Sequence, residues 1–188
     1  MFKSLFKKNK TSVRSDQVDE SVHAARPGDL FTVSGSDLEF EDSYFLVEKR
    51  NRYKSESVEW HEILGVDGDK RVWVEWPAHT SPSLTIRKDA RPIGLDQAGL
   101  SKDEILRMDE EHSIDNTLTF EGATYHYENS GEAFFFDNGL GEGDGFYLWE
   151  FTSDQESKFL SVVKWDAVPF EVYLSDILPF DSVSVYNK

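Results

Sequence analysis

Side chains able to do acid–base or metal chemistry are plentiful in this chain, but their spacing assigns them little. The histidines His23, His61, His79, His112 and His126 stand singly, and no two form the pair of an HExxH helix or another zinc spacing. There is no cysteine, which removes thiolate metal sites, iron–sulfur clusters, disulfides and cysteine nucleophiles together. No GxSxG elbow, GxxxxGKS loop or strand-borne GxGxxG occurs. Carboxylates number 36, so pairs such as Glu39 with Glu41, or Asp109 with Glu110 and Glu111, meet any loose acid–base spacing by abundance alone. On residue types and spacing we assign no catalytic residue, no cofactor and no metal ligand.

The segment DNGLGEGDGF, Asp137 to Phe146, sets acids among glycines as a calcium loop does. Counted from Asp137, positions 3 and 5 are Gly139 and Gly141, and position 12 is Leu148 where an EF-hand needs a bidentate Glu. The segment reads as an acidic connection between two strands.

One stretch, MFKSLFKKNKTSVR, has a mechanism in its pattern. Phe2, Leu5 and Phe6 lie on one face of a helical turn, with Lys3, Lys7, Lys8 and Lys10 around them. Such a face enters a lipid interface while the lysines meet anionic headgroups. One or two turns are not stably helical in water, so contact of residues 1–14 with an anionic membrane is expected to be weak and peripheral. The arm carries +5, and a net charge of −16 therefore leaves −21 on the rest. A body that acidic, in a chain whose overall pI is near 4.6, is no nucleic-acid clamp. No apolar run approaches the roughly 20 residues of a membrane span, and no signal-peptide pattern follows Met1. The expected location is cytoplasmic, peripheral to the inner membrane face where the arm engages it.

The elements that must position these side chains are mostly strands. Ser15 to Ala25 has helical spacing, stopped at Arg26-Pro27-Gly28. From there LFTV (30–33), YFLVEK (44–49), WHEILGV (60–66), RVWVEW (71–76) and SLTIRK (83–88) alternate as strands between turn residues. Asp67-Gly68-Asp69 marks a tight hairpin, where Gly supplies the positive φ. Ser101 and Glu104 form a capping box, with Leu100 and Ile105 as a hydrophobic staple, opening a helix that runs to about His112. Strand character resumes in TLTF (117–120), TYHYE (124–128), EAFFF (132–136), FYLWEF (146–151), KFLSVVKW (158–165), FEVYL (170–174) and VSVY (183–186).

WHEILGVDGDKRVWVEW and WEFTSDQESKFLSVVKW place their outer tryptophans at equal separations, Trp60 to Trp76 and Trp149 to Trp165. We read two similar β units joined by a helix, as a duplication leaves them. The expected organisation is an amino-terminal arm and short helix over 1–26, a first β unit over 27–98, a linking helix over 99–116 and a second β unit over 117–188. The fold class is mostly β: antiparallel sheets or small barrel-like units in two similar halves.

PGDLFTVSG, leading through FLVEK to VEWHEILGVDGDKRVWVEW, and FEGATYHYENSGEAFF, leading to FYLWEFTSDQESKFLSVVKWDAVPFEVYL, resemble the bacterial DUF4178 family. That resemblance carries no catalytic residues. It implies a small cytoplasmic β-rich accessory domain, often encoded near phage-shock-type membrane-stress proteins (PspA-like scaffolds) and polyamine-synthase-like enzymes. The leading expectation is a non-enzymatic interaction module binding a protein partner such as a PspA-like scaffold, with the basic arm near the membrane. Two alternatives stand beside it. One is a hydrolase or small-ligand-binding protein with a cleft between the β units, marked by His61 or His126 near perturbed carboxylates. The other is an acidic phage or immunity-type protein that blocks a basic partner.

Overall fold

The computed structural model describes residues 21–35, 40, 43–79, 81–88 and 91–187. The arm residues Phe2, Lys3, Leu5, Phe6, Lys7, Lys8 and Lys10, and the start of the helix expected from Ser15, lie outside them. Of that helix the described part is one 3₁₀ turn, Val22–Ala24. Ser21 and Ala25 are extended on either side of it, and Val22 and Ala25 are fully buried against the first β unit.

The first unit contributes β1 (Leu30–Val33), β2 (Phe45–Ser55), β3 (Glu59–Asp67), β4 (Lys70–Pro77) and β5 (Ser83–Arg87). After helix α1 (Lys102–Glu111) come β6 (Thr117–Phe120), β7 (Ala123–Phe136), β8 (Asp144–Ser153), β9 (Lys158–Trp165), β10 (Glu171–Pro179) and β11 (Val183–Tyr186). Neighbours run antiparallel in the order β11-β1-β2-β3-β4-β5-β10-β9-β8-β7-β6. A further pairing of β2 with β7, from Arg52↔Phe136 to Ser55↔Ala133, joins the two ends of the central run. The eight strands β2-β3-β4-β5-β10-β9-β8-β7 therefore close into a barrel, and closure removes the unpaired edges an open sheet would expose.

The halves repeat one plan: a short strand, a long strand, a hairpin and a closing strand. Like meets like where they join, β5 with β10 and β2 with β7, as in an isologous twofold contact. Each long strand also carries a one-residue bulge, Glu48 in β2 and Glu128 in β7. Before the bulge, Phe45 and Val47 in β2, and Tyr125 and Tyr127 in β7, pack outside the barrel. Beyond it the alternation reverses, and Tyr53 and Ala133 belong to an inner cluster with Trp60, Phe146, Val163 and Trp165.

Two outer cores flank the barrel. Phe31, Phe45, Ile63, Val74, Trp76 and Ile86 pack under the flap of β1 and β11. On the other side Ile105 and Met108 of α1 cover Tyr127, Trp149, Phe151 and Leu160. The capping box forms as the spacing predicts: Glu104 N–H donates to Ser101 Oγ at 3.2 Å and Ser101 N–H to Glu104 Oε2 at 2.8 Å. Leu100 and Ile105 are both buried in the core beneath, and the helix ends at a left-handed His112 with φ 44°.

Two readings of the sequence need correction. TYHYE and EAFFF are one strand of 14 residues, because Gly131, with no positive φ, continues the extended backbone instead of turning it. The equal tryptophan spacings do not mark equivalent positions. Trp60 stands opposite Pro77 while Trp149 stands opposite Val162. The β3–β4 turn closes at Asp67↔Lys70, whereas the last β8–β9 pair is Thr152↔Phe159, which leaves a longer turn. Trp60 and Trp165 consequently face inward, and Trp76 and Trp149 sit in the outer cores.

Candidate functional site

The barrel interior holds a cavity of about 310 Å³, adjoining a smaller one of about 110 Å³ with which it shares walls at Trp60, Glu75, Leu148, Glu150 and Phe159. Its lining is largely apolar, which is the usual make-up of a small-molecule site. The β3–β4 register sets Glu62 directly opposite Glu75, and β5 brings Arg87 beside them. Arg87 Nη2 lies 3.3 Å from Glu62 Oε2 and 4.0 Å from Glu75 Oε1. Asn51 Nδ2 donates to the other Glu62 oxygen at 2.7 Å. The guanidinium also rests 4.4 Å from the Tyr173 ring centre and 5.3 Å from that of Trp73. Tyr53 stacks on Trp60 at 5.1 Å with the rings 5° apart.

Burial dominates the electrostatics here. Glu75 is pushed up to about 7, by desolvation first and then by the neighbouring Glu62 carboxylate, against the pull of Arg87. It retains 26% side-chain accessibility, and that surface lines the cavity, where surrounding protein leaves the carboxylate only partly hydrated. Glu150 is raised as well, again by desolvation first, although a hydrogen bond from Asn129 opposes it. Tyr173 is held at about 12 by burial and by Glu171, which accepts its hydroxyl at 3.0 Å.

The histidines lie elsewhere. His61, lowered by burial and by Arg50, lines a shallow depression outside the barrel with Arg50, Asn51 and Asn138. His126 pairs with Asp154 at the surface, which raises it. Neither joins the perturbed carboxylates, so the arrangement expected of a hydrolase is not what the cavity presents. Ser130 donates to Asp109, and His112 reaches Tyr127 OH at 2.9 Å, so the serine and the histidine are joined only through the tyrosine hydroxyl. In the acidic loop Asp137 is ion-paired to Lys49 at 2.9 Å, and among the described residues no three His, Asp or Glu side chains converge as metal ligands.

Glu75 and Glu150 were hidden among 36 acids. Their signal lies in the strands around them, VWVEW and YLWEF, which put bulky apolar residues on both faces. A glutamate inside such a strand is flanked by apolar residues on either face.

The fold and this interior define a closed antiparallel β-barrel with an internal cavity. The chain belongs to the DUF4178 family (Domain of unknown function), whose family model matches residues 27–179. Comparison with curated proteins and with solved structures finds no match. No helix among the described residues is long and apolar enough to cross a membrane.

Proposed function

We propose that this chain is a non-enzymatic binding protein whose barrel holds a small molecule. The observation that supports it is the cavity itself: an apolar interior of about 310 Å³ with a few convergent polar groups. Gly131 supplies the means to test it. A Cβ there meets nothing within 4 Å, although the residue lines the cavity. Gly131→Leu therefore fills the site while leaving the wall undistorted. The neutral dye N-phenyl-1-naphthylamine should brighten on saturable one-to-one binding to the native protein and lose at least about tenfold in affinity with Gly131→Leu. Equal binding by both proteins places the dye elsewhere and removes this reading.

An apolar patch supports a second reading, the accessory module with a protein partner. Tyr44, Leu46 and Tyr186 are 60%, 42% and 48% exposed. Leu30 pairs with both Leu46 and Tyr186, and the two tyrosine rings lie 6.2 Å apart. Such clustering is the mark of an interaction surface. On this reading the patch docks a membrane-stress scaffold of the PspA-like kind and residues 1–14 add weak membrane contact. Co-sedimentation with a purified scaffold should be lost with Leu46→Lys plus Tyr186→Lys. Liposome flotation should weaken when residues 1–14 are removed. Unchanged results in both assays dispose of it.

A further inference from the structure

We propose that the cavity's ligand is an organic cation, an alkylammonium whose charged head meets Glu75 and Glu150 and whose carbon chain lies along Trp60 and Phe159. This deepens the cavity reading and rests on it. Glu62, Glu75 and Glu150 are brought together by the barrel, with Arg87 as the guanidinium among them. Arg87 is committed to Glu62 at 3.3 Å and to two aromatic rings, and it reaches Glu75 only at 4.0 Å. Glu62 has its own donors in Asn51 and Arg87 and is 2% exposed. Glu75 and Glu150 are the two acids that line both parts of the cavity, Glu132 lining the larger part alone, and among the described residues Glu150 has no cation within ion-pair distance.

A desolvated carboxylate is costly unless it is paired, and here the walls supply too few positive charges. An anionic ligand would add a further like charge. A neutral one would bury both acids without compensating them. An ammonium supplies the missing charge and donors, while aromatic faces favour a cation beside them. Below about pH 7 the empty cavity relieves its excess by holding a proton on Glu75; occupied, it exchanges that proton for the cation. Every charged or titratable group facing Glu75 enters this balance: Tyr53 from β2, Glu62 from β3, Arg87 from β5 and Glu150 from β8.

Calorimetry on the full chain with hexylamine, hexan-1-ol and hexanoate tests the charge class. Near pH 8, hexylamine should bind roughly tenfold or more tighter than hexanol, and hexanoate should not bind. Hexylamine affinity should fall about tenfold towards pH 5.5 as the carboxylates protonate, and hexanol should not change. Glu75→Gln and Glu150→Gln should each weaken hexylamine about tenfold and leave hexanol alone. Hexanol equal to hexylamine, or preferred hexanoate, overturns the cation while leaving the cavity in place. Failure of all three together with the neutral dye overturns the cavity reading instead. Should the glutamine variants not fold, the native pH profile decides: a hexylamine affinity flat from pH 8 to 5.5 overturns the proposal.

Discussion

Glu48 and Glu128 occupy the same place in the two halves of the barrel. Each is the extra residue between consecutive ladder pairs, Val47↔Gly65 and Lys49↔Leu64 in one case, Tyr127↔Phe151 and Asn129↔Glu150 in the other. Both side chains are exposed, so their identity matters little and their presence matters a great deal. Deleting Glu128 restores strict alternation and turns Ala133 and Phe135 out of the barrel, because a one-residue slip exchanges the two faces of a strand. Glu128→Ala should change stability by less than about 0.5 kcal/mol, whereas the deletion should cost about 3 kcal/mol or more. Urea denaturation of both variants decides the matter, and two similar midpoints would contradict a facing role for the bulge.

Helix α1 is held to the barrel by Asp109 as well as by its apolar face. The half-buried carboxylate accepts from Ser130 and, at 2.8 Å, from Tyr147 OH; Tyr127 OH bridges Ser130 to His112 at 2.8 and 2.9 Å. Asp109→Ala removes the acceptor at the centre of this chain. We expect a loss of about 1–3 kcal/mol, with hydrogen exchange in α1 accelerated ahead of that in β3 and β4. Asp109→Asn, which keeps an acceptor oxygen, should lose less. Uniform acceleration across all strands would show that the helix is not separately anchored.

Local chemistry carried most of the elements into the sequence. The capping box at Ser101 and Glu104 opens the helix where its spacing says, and Asp67-Gly68-Asp69 turns the β3–β4 hairpin, with Gly68 at φ 58°. The closed ring was not legible, because it depends on pairings such as Tyr53↔Phe135 and Ile177↔Thr85 between residues far apart in the chain. The bulges were equally silent: in FLVEKRNRYKS nothing but charged and polar residues marks where the inward face changes parity. The cavity acids followed from both. Only once β4 and β8 are known to face one interior do Glu75 and Glu150 stand out from the other carboxylates.

Gly65 is required by the first outer core. Its backbone lies under the Phe31 ring, and an added Cβ would come 2.9 Å from Phe45 Cβ and closer still to that ring. Phe31 cannot swing away, since it is fully buried and stacked on Phe45 at 5.4 Å. Gly65→Ala should therefore destabilise by about 1–3 kcal/mol through overpacking. In contrast Gly131→Ala, which meets open space, should be neutral or stabilising. Thermal melts of the pair test this, and a tolerated Gly65→Ala would mean that the flap of β1 shifts to make room.

The cavity acids make stability fall as pH rises through neutrality. Glu75 is raised in the folded protein from 4.5 to about 7, so the native state holds its proton more tightly than the unfolded chain does. Its contribution is fully present below the unfolded value, declines between about 4.5 and 7, and is lost above the folded value. Glu150, raised by burial, has the same sign. So does His126, raised by Asp154, and the native slope alone therefore cannot be credited to Glu75. Glu75→Gln separates them: the amide cannot ionise, which should flatten part of the slope and stabilise the variant over native by at most about 3 kcal/mol near pH 8. Near pH 4 the two proteins should melt alike. A Glu75→Gln variant whose stability runs parallel to native from pH 4 to 8 would mean that this carboxyl titrates as an ordinary surface acid. An alkylammonium in the cavity should reverse the effect, since it stabilises the ionised form and raises the native melting temperature most at the alkaline end.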